Sequence, residues 1–222
     1  MKHLSTGIQA LVLCTSLLGA AAAHANLLSN GSFESGSFVN QGNDTMSLAA
    51  GSTTISGWTV VTDTAAWIGP TNPFGLSASD GSFFLDLTNY QAGPPFAGMS
   101  QVIATTPGAT YALSFDLGGS TRWGRPDAIT ASAAGTSTTF TTPLTGTNND
   151  WQHISMQFMA SSSLTTVRLQ GATGSNYIGL DNASVDFVSG PVVPEPGTFV
   201  LLSLGLAGVV LARKRKAHTR AM

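Results

Sequence analysis

Thr110-Tyr111-Ala112-Leu113-Ser114-Phe115-Asp116-Leu117 is the stretch that decides the fold. Tyr111, Leu113, Phe115 and Leu117 fall on one side of an extended chain, with Ala112, Ser114 and Asp116 on the other. A strand with one buried face requires this period of two, because successive side chains leave the pleat on opposite faces. The period recurs outward in both directions. Phe83, Leu85 and Leu87 alternate with Phe84 and Asp86. Ile154, Met156 and Phe158 alternate with His153, Ser155 and Gln157, and Val167 and Leu169 with Arg168 and Gln170. Further strands are expected over Thr53–Val61, Met99–Ala104, Ala128–Ala133, Thr136–Thr141 and Tyr177–Phe187. Asp80-Gly81, Pro107-Gly108 and Gly118-Gly119 read as turns, and Asn89–Pro95 and Gly118–Pro126 as loops. No amphipathic helix is legible between Asn26 and Val193. The expected fold is all-β, a sandwich of antiparallel sheets.

Both ends of the chain carry membrane signals that stand outside this domain. Lys2 and His3 precede an apolar stretch, Ile8 to Ala22, which ends in Ala23-His24-Ala25. That is the pattern of a secretory signal peptide over residues 1–25, with signal peptidase leaving Asn26 as the first mature residue. The lone cysteine, Cys14, follows Leu13 inside the apolar stretch, so a lipoprotein reading fails. The domain is expected over residues 26–190 and a tail over 191–222. In the tail Pro194-Glu195-Pro196 precedes an apolar run, residues 198–212, and the cluster Arg213-Lys214-Arg215-Lys216. The run reads as a short membrane helix, with the basic cluster held on the cytoplasmic side and the domain outside.

Charge narrows the partners. Between Asn26 and Val193 ten acidic residues face three basic ones, Arg122, Arg125 and Arg168, giving a net −7. The whole chain reads −2 because the basic tail hides this acidity. A nucleic-acid ligand is excluded, since neutralising phosphates needs clustered Lys and Arg. No disulfide can form within the mature domain, because it holds no cysteine.

Four motifs occur in order: Asn26-Leu27-Leu28-Ser29-Asn30-Gly31-Ser32-Phe33-Glu34, Ala50 to Val61 around Ile55-Ser56-Gly57-Trp58, Ser79-Asp80-Gly81-Ser82 with Leu85-Asp86-Leu87, and Gly179-Leu180-Asp181-Asn182-Ala183-Ser184-Val185. With Thr110–Leu117 they resemble the choice-of-anchor C family of exported bacterial domains, which have a galactose-binding-like jelly-roll fold. Plant and bacterial cell-wall proteins of a related domain of unknown function share the pattern. The tail resembles the PEP-CTERM sorting signal, which an exosortase processes in Gram-negative bacteria that make exopolysaccharide. The resemblance implies anchoring in the inner membrane, then delivery to the cell surface or extracellular matrix. It also implies a structural Ca²⁺ held by Glu34 and Asp181, as in similar jelly rolls.

A catalytic constellation is not legible. The domain's single histidine, His153, lies on the polar side of its strand, and no nucleophile elbow or metal-binding spacing is present. The expected protein is non-catalytic, with paired aspartates of a secreted glycoside hydrolase as one alternative and a purely structural matrix component as another. Extracellular polysaccharide is the expected ligand, because sugars are held by aromatic faces with polar neighbours. Trp123, with Arg122 and Arg125 beside it in a loop, is the foremost candidate. Trp58 and Trp67 are further candidates, although Trp58 sits within a strand pattern that equally suits a core residue, and Trp67 is similar.

Overall fold

The computed structural model describes residues 26–123, 126–142 and 150–191. The expected signal peptide, the sorting tail with its 198–212 helix, and Arg125 lie outside the described residues. Among the described residues there is no α-helix, and none that could cross a membrane as a helix.

Eleven strands form two antiparallel sheets. The first sheet holds β1 (Thr45–Leu48), β3 (Ala65–Ile68), β4 (Phe84–Asp86), β11 (Gly179–Ser189), β6 (Thr110–Gly119) and β9 (Asp150–Met159), in that spatial order. The second holds β2 (Thr59–Val61), β5 (Gly98–Ala104), β10 (Leu164–Thr173), β7 (Ala128–Ala133) and β8 (Thr136–Thr141). The result is the antiparallel sandwich that the alternation predicted, with the jelly-roll form that the resemblance implied. Tyr111, Leu113, Phe115 and Leu117 of β6 all point into the core between the sheets, against Ile129, Ala131, Val167 and Leu169 of the second sheet. β6 and β9 pair without a slip from Thr110↔Met159 to Gly119↔Asp150, which sets Ile154, Met156 and Phe158 on that same inner face.

The chain's start is bound to its end. Leu27 N donates to Val185 O at 2.8 Å, and Asn26 Oδ1 accepts from Val185 N. The register of β11 against β6 shifts between Asp181 and Ser184, where Ala183 N turns to Gly31 O. Gly31 is required there, because a Cβ would lie 1.8 Å from Ala183 O.

Several sequence expectations change. Thr53–Val61 forms a strand only over Thr59–Val61, because Gly57 takes φ +85° and turns the chain before it. Gly118-Gly119 is not a turn but the end of β6. β1 and β3 were not legible, because β3 is buried on both faces and shows no alternation.

Candidate functional site

β3 and β4 are apolar on both sides. Ala65, Trp67 and Leu85 join the main core, while Ala66, Ile68 and Phe84 point outward into a second cluster with Leu76 and Tyr177. This cluster lies on the outer face of the six-stranded sheet and is covered by long connections. The 69–83 segment lies over it, with Phe74, Leu76 and Ala78 packed inward. Glycines let aromatic rings approach the sheet closely. A Cβ on Gly118 would meet the Trp151 ring at 2.6 Å, and one on its cross-strand partner Gly179 would meet the Tyr177 hydroxyl at 2.4 Å.

A cleft of about 490 Å³ opens above this cluster. Its walls are the rings of Phe74, Tyr90, Trp123 and Tyr177, and its floor includes Ile68 and Leu76. Phe74 anchors the walls, 5.7 Å from Tyr90 and 6.1 Å, edge-on, from Trp123. Such pairs are each worth about 0.5–1.5 kcal/mol beyond the area they bury. Polar groups come from Asn43, Thr45 and Asn176. Arg122 lies over the Trp123 ring, its guanidinium carbon 4.8 Å from the centroid.

The backbone around the cleft is strained. Asn43, Tyr90 and Asn176 have φ of 56°, 67° and 63°. Asn tolerates the left-handed region, but an aromatic residue there is a true outlier, costing on the order of 1–3 kcal/mol. Asp86 is what holds Tyr90. Its carboxylate is fully buried at the end of β4. Oδ1 accepts from Thr88 N at 2.9 Å and Ile178 N at 3.0 Å, and Oδ2 from Tyr90 N at 3.2 Å. The Thr88 hydroxyl bonds both oxygens. One side chain thus ties two walls of the cleft together. Burial pushes Asp86 up to about 6, against the pull of these hydrogen bonds. Burial also raises the Tyr90 phenol, with a Thr45 hydrogen bond opposing it and the charge of Asp86 adding to it.

The expected ligand residues separate. Trp123 lines the cleft, and Arg122 stacks on its ring beside it. Trp58 and Trp67 are core residues, 2% and 1% exposed, so the expectation that they meet ligand is corrected. Their indoles donate to Asn30 O and Phe33 O, pinning the 30–33 turn from inside. The Trp123 indole N–H is different: it is buried and among the described residues has no hydrogen-bond partner. An unmade bond of that kind costs roughly 1–3 kcal/mol. Sequence reasoning missed Phe74, Tyr90, Tyr177, Asn43, Asn176 and Asp86. Tyr90, an aromatic inside the expected 89–95 loop, was the one available signal.

Glu34 and Asp181, the pair expected to hold calcium, converge on one loop. Asp181 Oδ2 accepts from Ser79 N, Ser79 Oγ and Asp80 N at 2.8–3.1 Å, and Oδ1 accepts from Asn182 N. Glu34 Oε1 accepts from Ser82 N and Phe83 N, each at 2.7 Å. A calcium shell needs oxygen lone pairs turned inward. Here N–H and O–H groups donate to the carboxylates, which clasps the 79–83 loop. Among the described residues no three His, Cys, Asp or Glu side chains gather as a metal site. Burial pushes Asp181 up to about 7 despite these bonds. His153 sits on the exposed side of β9, as expected, with Nδ1 2.7 Å from Asp116 Oδ1.

Comparison with known proteins fixes the family. Residues 26–183 match the family described as "Protein of unknown function (DUF642)". The chain belongs to this family. Beyond the DUF642 domain, residues 192–216 match the PEP-CTERM protein-sorting motif, which marks the protein for export and membrane-associated processing by an exosortase. A search of curated proteins found no match. Among solved structures, the DUF642 domain is similar to TmCBM61 in complex with β-1,4-galactotriose, at 16% identity over 74% of this chain and 99% of that chain, TM-score 0.44. It is also similar to a family 16 carbohydrate-binding module, at 21% identity over 72% and 99%, TM-score 0.40. A third is the xylan-binding CBM22-1 domain from Paenibacillus barcinonensis, at 14% identity over 69% and 100%, TM-score 0.41. Likeness this distant carries no argument about ligand.

Proposed function

We propose that the protein is a non-catalytic cell-surface or extracellular-matrix component that holds polysaccharide in the cleft above β3 and β4. Its tail anchors it in the inner membrane until exosortase processing delivers it outward. On this reading it is a DUF642 protein of the choice-of-anchor C type. The carrying observation is the cleft itself: four aromatic rings, neutral amides and a hydroxyl, at a size within the ordinary range for ligand pockets. Aromatic faces cover the C–H faces of a sugar, and amides meet its hydroxyls. The hydrolase alternative needs two carboxyl groups across a scissile bond, about 5–10 Å apart. Asp86 is the carboxylate that lines the cleft, and both its oxygens already accept N–H and O–H bonds.

A glycan array probed with the exported protein tests the reading. Binding is expected, and Trp123→Ala is expected to weaken it by roughly tenfold or more, the equivalent of ~1.4 kcal/mol. An array with no binder contradicts it. Release of new reducing ends from a bound glycan, abolished in Asp86→Asn, would establish the hydrolase instead.

A further inference from the structure

We infer that the cleft selects an anionic saccharide, a glycan bearing carboxylate or sulfate, and that Arg122 is the residue that reads the charge. The inference rests on the cleft being the glycan site and concerns which glycan enters it.

Cations are scarce in this domain. Three basic residues occur between Asn26 and Val193, and two of them, Arg122 and Arg125, fall in the single connection from β6 to β7. That connection carries Trp123 to the cleft wall. Arg122 is exposed, and its guanidinium rests on the Trp123 ring at 4.8 Å. Among the described residues no carboxylate pairs with it; the described ion pair is His153 with Asp116, on β9 and β6. Stacking orients a guanidinium without consuming its donors, since the five N–H groups lie in the plane of the fork.

The nearby carboxylates are engaged elsewhere. Asp44 Oδ2 accepts from Thr71 N and Thr71 Oγ1, and Asp86 is buried under Thr88, Tyr90 and Ile178. The remaining acidic residues raise the domain to net −7, yet salt screens exposed charges beyond about 8 Å at physiological ionic strength. What an incoming sugar meets at the rim is therefore a guanidinium held on the Trp123 ring, with no carboxylate pairing it among the described residues. The complement is an acceptor-rich, negatively charged substituent, which a guanidinium takes in a bidentate pair.

The test is a panel of uronate-bearing and sulfated oligosaccharides, each paired with its carboxyl-reduced or desulfated counterpart, titrated against the exported protein. The inference expects the charged member of a pair to bind more tightly, with the advantage falling as salt rises. Arg122→Gln is expected to lose roughly tenfold for the charged member, as for a hydrogen bond to a charged group, and so to narrow its advantage over the neutral one. Arg122→Lys should restore part of the loss, since it keeps the charge without the fork. The uronate and sulfate arms separate the two sources of charge. Equal or tighter binding of the neutral members, abolished by Trp123→Ala, overturns this inference and leaves the glycan cleft standing. Binding of neither member overturns both. Arg122 is exposed, so an unchanged melting temperature in Arg122→Gln confirms that folding is not the cause.

Discussion

Gly118 shows how a single residue can be misjudged without its neighbours. Beside Gly119 it reads as a turn, but it lies within β6 because the Trp151 ring lies flat over it. A methyl group there would stand 2.6 Å from that ring. Gly118→Ala is expected to destabilise the domain by about 1–3 kcal/mol, the usual cost of overpacking. Denaturant melts measure it, and a neutral result would mean that Trp151 does not press on the strand. The tryptophans carry a similar lesson. Trp58, Trp67 and Trp123 are alike in a list of aromatics. What divides them is whether the indole N–H meets a backbone carbonyl inside the sandwich, a property of the folded chain and not of local sequence.

At the scale of elements, legibility followed solvation. β6 and β9 alternate because one face of each is buried and the other solvated, and the expected bounds of β7 and β8 matched end for end. β3 is covered on both faces, so its four residues carry no period. The 69–83 connection is the element on which the cleft depends, and it is fastened by Glu34 and Asp181 through backbone N–H groups. If these carboxylates act as a clasp, a chelator leaves the melting temperature unchanged. Glu34→Gln then lowers stability by about 1 kcal/mol, through poorer acceptance of the Ser82 and Phe83 N–H bonds. A melt that drops sharply with chelator, together with calcium in the purified protein, would show that the pair holds a metal.

At the scale of the molecule, the fold was written in repeated local patterns, but the cleft was not. Its lining comes from Asn43, Phe74, Tyr90, Trp123 and Asn176, five segments that the sandwich topology alone brings together. The same closure buries charge, with a consequence for pH. Asp86 and Asp181 are pushed from the ordinary 3.8 up to about 6 and about 7, each chiefly by burial. Between pH about 4 and about 7 the native state therefore holds protons that the unfolded chain has released. Stability from these two groups rises as pH falls through that window and is lost as pH rises. Melting temperature should be higher at pH 5 than at pH 8, with a smaller difference in Asp181→Asn. A slope of the opposite sign would mean that other groups dominate.

The central claim is that the cleft, and not the sandwich interior or another face, receives glycan. The indole N–H resonances of the four tryptophans report on it directly, because each sits in a distinct place. Those of Trp58, Trp67 and Trp151 already donate to Asn30 O, Phe33 O and Ser77 O, while that of Trp123 has no partner among the described residues. In a ¹H–¹⁵N titration with a glycan that binds, the Trp123 indole signal is predicted to move downfield and saturate, with the Trp58 and Trp67 signals fixed. Saturating binding that shifts the others and leaves Trp123 untouched would contradict the account.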